Sequence, residues 1–253
     1  MPTALIVEDE VDANELLAML VRLRGYQTES AFTGTQALEM AGRIRPDILF
    51  LDLMLPDITG YDVCAELKTK RATCDIPIVM VSARIADESR RKGIRLGAGD
   101  YIPKPYTPDQ IFQAMTEADA RRSQAERIDG PECFPLDLGD DLAPFRHLGA
   151  LRGRLLARTD APEDRVARWI DALAELLQRG LDWGRGRPRS RVAAVECRID
   201  PQDLVVELLD ESGWLAADPP TENGLARVLE SGRFERIEHD PDSCRLIIAA
   251  PLN

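Results

Sequence analysis

Short apolar segments alternate with amphipathic ones along the first half of the chain. Residues 48–51 are all apolar, which is typical of a strand buried on both faces of a parallel sheet. Between such runs apolar residues recur at helical spacing, as in residues 12–23, where Asp12 is the expected N-cap. Strands alternating with helices, with an edge strand at residues 26–30, predict a doubly wound α/β domain with a five-stranded parallel sheet.

Polar side chains stand at the ends of four of these strands. Glu8 and Asp9 end the first strand, Asp52 follows residues 48–51, and Ser82 and Lys104 end the two later strands. Because the carboxyl ends of parallel strands meet at one edge of a sheet, we expect these groups to lie together. Taken one at a time, Asp52 would be an acidic strand cap and Lys104 a surface lysine. The prediction of a site therefore depends on their combination.

In this combination, residues 1–121 resemble the receiver domain of bacterial two-component response regulators, which has a flavodoxin-like sheet. The resemblance implies that Asp52 is the phosphoacceptor. It also implies that Glu8, Asp9 and Asp52 bind one Mg²⁺, with the backbone carbonyl of Met54 as a further ligand. Three carboxylates in one crevice repel one another, and a hard cation with oxygen ligands relieves that repulsion.

The resemblance assigns roles to three further residues. Ser82 and Lys104 would contact the phosphoryl oxygens, and Ser82 and Tyr101 would form the switch, with Tyr101 drawn inward after Ser82. The cation and the Lys104 ammonium would neutralise charge on the transferring phosphoryl group, which makes in-line attack by the Asp52 carboxylate feasible. The catalytic residues implied are thus Asp52, Ser82 and Lys104.

Length and composition narrow the classes of protein. A chain of 253 residues, 44% of them hydrophobic, suits two domains with real cores. The sequence has no apolar run long enough to span a membrane and no signal-peptide pattern. Five scattered cysteines, none spaced as C-x₂-C, favour a reducing cytoplasm over disulfides or a zinc site. The net charge of −12 argues against a general nucleic-acid-binding surface.

Breaker residues predict the domain boundaries. The last receiver helix is expected to begin at Pro108 and to run to about residue 127, so that residues 1–127 form the first domain. Residues 128–141, which combine glycine, proline and acidic residues, are interpreted as a linker. The polar segment 86–96 is either a solvated helix or, with the last receiver helices, a partner-binding or homodimer surface.

Residues 142–253 form the second predicted domain. Two helices are expected first, followed by two strands, a short helix and two more strands, at residues 145–157, 162–181, 191–199, 204–209, 224–229, 234–238 and 244–250. Helices followed by strand pairs indicate an α/β sandwich with a mixed or antiparallel sheet.

The second domain is similar to the histidine-kinase-type ATPase fold, and most of all to the anti-sigma-factor serine kinases. Glu175 stands where that family has its helical glutamate, and Asp210, followed by Gly213, stands where it has the adenine-reading aspartate. However, Arg179 replaces the Mg²⁺-binding asparagine, and Trp214 stands where a glycine is expected. We interpret these residues as a degenerate nucleotide site without ATP chemistry or a bound cofactor.

The sequence thus predicts a cytoplasmic response regulator whose activity is limited to the phosphorylation and dephosphorylation of its receiver. A sensor histidine kinase or a phosphotransfer protein would donate phosphate to Asp52, and the second domain would bind a regulatory protein partner. Three alternatives stay open. They are a receiver-controlled ATP-dependent serine kinase or anti-sigma factor, DNA binding through the loop from Arg185 to Arg191, and a phosphorelay through His147.

Overall fold

The computed structural model describes residues 1–83, 87–125, 132–136, 142–184, 193–199, 203–210, 225–232, 234–240 and 245–252. The chain divides into two compact units, Met1–Arg127 and Ile128–Asn253.

The first unit is built on a five-stranded sheet in the order β2-β1-β3-β4-β5, in which every neighbouring pair is parallel. Its strands are β1 Thr3–Val7, β2 Gln27–Ala31, β3 Ile48–Leu51, β4 Ile78–Ser82 and β5 Asp100–Pro103. The predicted flavodoxin-like parallel sheet is therefore confirmed. The carboxyl ends of β1, β3 and β4 all lie at the same edge, since these strands are adjacent and parallel.

Helices cover both faces of this sheet. They are α1 Val11–Leu23, α2 Gly34–Ile44, α3 Gly60–Thr69, α4 Asp87–Arg95 and α5 Pro108–Ala125. Leu5 and Val7 of β1 join a core cluster with residues of α2 and α3, while Ala4 and Ile6 join a second cluster with residues of α1 and α5. A strand that is packed on both faces has no polar side, which explains why the apolar runs in the sequence are continuous.

The starts of the helices refine the sequence predictions. Asp12 is not the N-cap of α1, because the helix already begins at Val11 after Glu10, which makes no side-chain cap hydrogen bond. By contrast, α3 begins with a full capping box, in which the Thr59 side chain accepts from the backbone of Asp62 and the Asp62 side chain accepts from the backbone of Thr59. That box fixes the start of the helix that follows the Asp52 loop.

The second unit contains a five-stranded sheet in the order β6-β7-β8-β10-β9, in which all neighbouring pairs are antiparallel. The described elements are β6 Glu132–Leu136, α6 Ala143–Arg158, α7 Glu163–Gly184, β7 Ala193–Ile199, β8 Asp203–Asp210, α8 Leu225–Gly232, β9 Arg236–Asp240 and β10 Arg245–Pro251. The antiparallel arrangement is one of the two predicted from the sequence. The helices α6 and α8 both pack against α7.

The two faces of the strand β8 differ in burial. Leu204, Val206 and Leu208 are almost fully buried, whereas on the other face Val205 is 9% exposed and Leu209 is exposed, so the face that carries Leu204 is the covered one. On α7, Trp169 is among the largest fully buried side chains of the described residues. The broad apolar stripe that predicted this helix is therefore its packed face.

The region predicted as a linker contains a strand. Residues 128–141 include β6, which pairs with β7 along five residues, from Glu132 opposite Cys197 to Leu136 opposite Ala193. Pro135 lies within β6, and proline is tolerated there because β6 is an edge strand of the sheet. This segment belongs structurally to the second unit.

Candidate functional site

Three carboxylates converge at the carboxyl edge of the parallel sheet of the first unit. One oxygen each of Glu8, Asp9 and Asp52 lies within 4.8 Å of the others. Glu8 and Asp52 are buried, with 4% and 5% of their surface exposed, whereas Asp9 is exposed. Three oxygen donors at this spacing, two of them shielded from bulk water, are able to hold a hard divalent cation.

Lys104 completes this cluster from the loop that follows β5. Its Nζ atom donates one hydrogen bond to Glu8 Oε2 and another to Asp52 Oδ2, each at 2.5 Å. The ammonium group therefore partly neutralises the repulsion between the two buried carboxylates. The lysine remains reachable from solvent, since its side chain is 22% exposed.

The protonation equilibria of the cluster reflect burial and pairing together. Burial is the largest influence on Glu8 and raises the pKa of its carboxyl group, while the hydrogen bond from Lys104 opposes that rise. For Lys104 burial is again the largest single influence and lowers the pKa. The hydrogen bonds and charges of Asp52 and Glu8 together outweigh it, so that the pKa of Lys104 is raised.

The backbone around Asp52 is tightly constrained. The second carboxylate oxygen, Asp52 Oδ1, accepts a hydrogen bond of 3.0 Å from the backbone N–H of Met54. Gly60 packs directly against the same segment, because a Cβ atom added there would stand 2.2 Å from the carbonyl oxygen of Asp52. The Met54 side chain is 57% exposed, so the loop opens to solvent on that side.

Ser82 and Tyr101 come from the neighbouring strands β4 and β5. Ser82 is fully buried, and its carbonyl oxygen accepts a 2.9 Å hydrogen bond from the backbone N–H of Lys104. That bond holds the backbone of Lys104 against the end of β4. Tyr101 is 8% exposed and belongs to the core cluster on the α2–α3 side.

Two residues of this edge were not found by sequence reasoning. Asn14 is 2% exposed on α1, and its side-chain amide donates to the carbonyl oxygens of Ile6 and Glu8. The signal that could have found it is a polar residue at an apolar position of the helical stripe.

Asp57 is the second residue missed. Its two carboxylate oxygens accept hydrogen bonds of 2.8 Å from the backbone N–H groups of Gly34 and Thr35 at the start of α2. The hydrogen bonds from Thr35, with a further bond from Gly34, hold the pKa of Asp57 well below its usual range. The loop that carries Asp52 is thereby tied to the N-terminus of α2.

The predicted nucleotide residues of the second unit are described only in part. Glu175 and Arg179 form an ion pair of 3.2 Å one turn apart on α7, and Asp210 is the last residue of β8. Gly213 and Trp214 lie outside the described residues.

The alternatives of DNA binding and of a phosphorelay both depend on residues of the second unit. The loop from Arg185 to Arg191 lies outside the described residues. His147 lies half-buried on α6, where burial first, and the charge of Arg146 second, lower the pKa of its imidazole.

Residues 4–116 match the family model described as response regulator receiver domain. The N-terminal unit is a response regulator receiver domain. Among curated relatives, the chain is 33% identical over 153 residues to the phosphate regulon transcriptional regulatory protein PhoB of Pseudomonas aeruginosa, covering 60% of this chain and 65% of that protein. It is 39% identical over 133 residues to the sensory transduction protein RegX3 of Mycobacterium tuberculosis, covering 51% of this chain and 57% of RegX3.

A solved structure of a putative response regulator from Chloroflexus aurantiacus is 31% identical, with a TM-score of 0.45, and covers 47% of this chain and 99% of that one. The chain thus spans between about half and two thirds of the length of the curated relatives named. Within the part of the chain that the structure describes, no helix combines the length and the apolar character needed to cross a bilayer.

Proposed function

We propose that Asp52 accepts a phosphoryl group and that its phosphorylation state controls the second unit. The observation that carries this proposal is the position of the Asp52 carboxylate, which is hydrogen-bonded to Lys104 and lies beside the carboxylates of Glu8 and Asp9. Receiver domains act in two-component signalling, so a phosphorylatable aspartate at this edge is the chemistry that the family membership of the unit supports.

The donor set fits Mg²⁺, because it consists of carboxylate oxygens with a buried and an open side. Glu8, Asp9 and Asp52 would hold the ion, with the carbonyl of Met54 as a proposed further ligand. When bound, Mg²⁺ would supply charge neutralisation to the phosphoryl oxygens.

The chain's own residues would do the rest of the chemistry. A carboxylate oxygen of Asp52 attacks phosphorus, the bond from phosphorus to the donor's nitrogen breaks, and the nitrogen keeps the electron pair of that bond. Lys104 exchanges its contact with the carboxylate for a contact with a phosphoryl oxygen. Ser82 donates to another phosphoryl oxygen, and Tyr101 holds the resulting arrangement from the core side.

The test uses a small phosphodonor, phosphoramidate, with the full-length chain and Mg²⁺. We expect one phosphoryl group per chain by intact mass, and none on Asp52→Asn. Asp47→Asn is the matched control, because Asp47 lies at the opposite end of β3, where its Oδ2 accepts from the backbone N–H of Thr3. Labelling of Asp52→Asn at the wild-type level would contradict the assignment.

We propose a sensor histidine kinase or a phosphotransfer protein as the physiological donor. An apolar stripe on α1 supports this choice, since Leu16, Met19 and Leu23 are 54%, 59% and 76% exposed on the helix face opposite the core. Met19→Glu should slow transfer from a phosphorylated donor protein and leave the rate with phosphoramidate unchanged. Equal slowing with both donors would show that the stripe acts on the pocket rather than on docking.

For the second unit we propose binding of a regulatory protein partner without ATP chemistry. The supporting observation is the ion pair between Glu175 and Arg179, because Arg179 stands where the resembled family has its Mg²⁺-binding asparagine and its guanidinium group is bound to the glutamate. Calorimetric titration of Mg·ATP into the full-length chain tests this. Micromolar binding would replace the proposal with the receiver-controlled serine kinase.

A further inference from the structure

The side chain of Asn14 links three segments at the carboxyl edge of the receiver sheet. Its Nδ2 donates to the carbonyl oxygen of Ile6 at 3.4 Å and to that of Glu8 at 3.3 Å. Its Oδ1 accepts a hydrogen bond of 2.6 Å from the hydroxyl of Ser30 on β2. Helix α1 is therefore joined to β1 and β2 by one buried amide, directly behind the residues of the acidic cluster.

These contacts act on the backbone that carries the metal-binding carboxylates. The N–H of Glu8 donates to the carbonyl of Ala31 at 3.1 Å, so that the Glu8 peptide is held by β2 on its amide side and by Asn14 on its carbonyl side. The carbonyl oxygens of Ile6 and Glu8 can only accept hydrogen bonds, so the NH₂ group of the Asn14 amide faces β1. The amide oxygen is then on the side of β2, where it accepts from the hydroxyl of Ser30.

We propose that Asn14 is a positioning residue for the acidic pocket, and that its amide sets the affinity of Glu8, Asp9 and Asp52 for a divalent cation. The inference rests on the proposed function, because it assumes that these carboxylates bind Mg²⁺. Asn14 itself does not touch the ion or the phosphoryl group. It fixes the backbone of Glu8, and thereby where the first two carboxylates stand relative to Asp52.

The alternative is that Asn14 only stabilises the fold, as a buried and satisfied amide. Both roles predict a loss of stability when the amide is removed, since two carbonyl groups lose a donor. They differ in cation binding. Partners that orient metal ligands from behind typically contribute about 10- to 100-fold to metal affinity or activity, whereas a purely structural residue leaves the affinity of the folded fraction unchanged.

The experiment measures the Kd for Mg²⁺ by calorimetry on the full-length chain without phosphodonor, beside a thermal unfolding curve for each variant. Asn14→Leu should weaken Mg²⁺ binding by about tenfold or more. Ser30→Ala keeps the amide but removes the hydroxyl that holds its oxygen, so it should weaken binding in the same direction by a smaller factor.

Thr28→Val is the matched control. Thr28 lies on the same strand and also joins β2 to α1, because its hydroxyl accepts a 2.8 Å hydrogen bond from Arg22 Nε. It has no bond to Asn14, so its Kd for Mg²⁺ should equal that of the wild type.

Three outcomes would overturn the inference. An Asn14→Leu chain with a lower Tm but a Kd within about twofold of the wild type would show a structural role only. If that variant does not fold, equal Kd values for Ser30→Ala and Thr28→Val lead to the same conclusion. A wild-type chain that binds no Mg²⁺ would overturn this inference together with the proposed metal site.

Failure of the phosphoacceptor assignment is distinguishable from these results. A chain whose Mg²⁺ affinity depends on Asn14, but which phosphoramidate does not label, would refute the role of Asp52 and leave the positioning role intact.

Discussion

The Nζ atom of Lys104 lies 2.5 Å from Oδ2 of Asp52, a residue 52 positions earlier in the chain. The lysine is thus already bound to the carboxylate that we propose as phosphoacceptor, and its ammonium group is hydrogen-bonded to two of the three carboxylates proposed to hold the cation. Under the proposed function it would compete with Mg²⁺ in the resting site and contact the phosphoryl group afterwards.

Lys104→Gln is expected to separate these two effects. Without the ammonium group the three carboxylates repel one another more strongly, so Mg²⁺ should bind more tightly, by about tenfold, as expected for the loss of one nearby charge. The rate of phosphorylation by phosphoramidate should nevertheless fall by about tenfold or more, because one positive charge on the phosphoryl oxygens is lost.

Calorimetry and intact-mass time courses measure the two quantities for Lys104→Gln. Lys70→Gln is the control, because Lys70 forms an exposed ion pair with Glu66 on the same unit. Weaker Mg²⁺ binding by Lys104→Gln would contradict the competition described above.

Gly60 sets how closely α3 approaches the loop that follows Asp52. A Cβ atom at this position would stand 2.2 Å from the carbonyl oxygen of Asp52 and 2.8 Å from the Cα of Leu53. Both neighbours are backbone atoms, so Gly60→Ala must displace the loop. We expect a loss of about 1–3 kcal/mol in the free energy of unfolding, together with slower phosphorylation of Asp52.

Gly42→Ala is the matched control for Gly60→Ala. Gly42 is a helical glycine of α2, and an added Cβ would meet nothing within 4 Å. Removing the backbone freedom of glycine should therefore stabilise the unit by about 0.5–1 kcal/mol. Chemical denaturation measures both variants, and a neutral Gly60→Ala would show that the loop can shift without cost.

Much of the receiver could be predicted from the sequence because its signals are local. Continuous apolar runs mark strands packed on both faces, and the polar residues that end them mark one edge of the sheet. The roles of Asn14 and Asp57 could not be predicted in this way. Their partners lie on other elements, with Asn14 bound to β1 and β2 and Asp57 bound to the start of α2.

The second unit was harder to predict at its beginning than at its centre. The long apolar stripe of α7 and the short apolar runs that predicted β8 and β10 agree with the elements found. The strand β6 was missed because its sequence contains Pro135 and is short, and both features are typical of a linker. Only its pairing with β7, about sixty residues later, makes it a strand.

His147 predicts a pH dependence of stability for the second unit. Burial, and the charge of Arg146, lower the pKa of its imidazole below the ordinary value of 6.5. Below pH 6.5 the imidazole of His147 is therefore more often protonated in the unfolded chain than in the folded chain. The stability of the fold falls as the pH drops from that value through the folded-state pKa. His147→Gln should remove this component and flatten the loss of stability below neutral pH.

Urea unfolding of the wild type and His147→Gln at a series of pH values measures the difference. Arg146→Gln removes the neighbouring charge and should give an intermediate slope. A steeper loss of stability for His147→Gln at acid pH would mean that the folded state favours the protonated imidazole instead. Loss of phosphotransfer in His147→Gln, with an intact Asp52 reaction, would point to the phosphorelay alternative.

The edge strand β6 predicts where a stable fragment of the second unit must begin. A fragment from Ile128 to Asn253 keeps the pairing of β6 with β7, whereas one that starts at Asp137 removes it and exposes the edge of β7. Each backbone hydrogen bond contributes about 0.5–1.5 kcal/mol, so the shorter fragment should lose at least about 2 kcal/mol in its free energy of unfolding. Urea denaturation followed by tryptophan fluorescence compares them, because Trp169 is buried in this unit. Equal midpoints would show that β6 is dispensable and that residues 128–141 behave as the linker that their composition suggests.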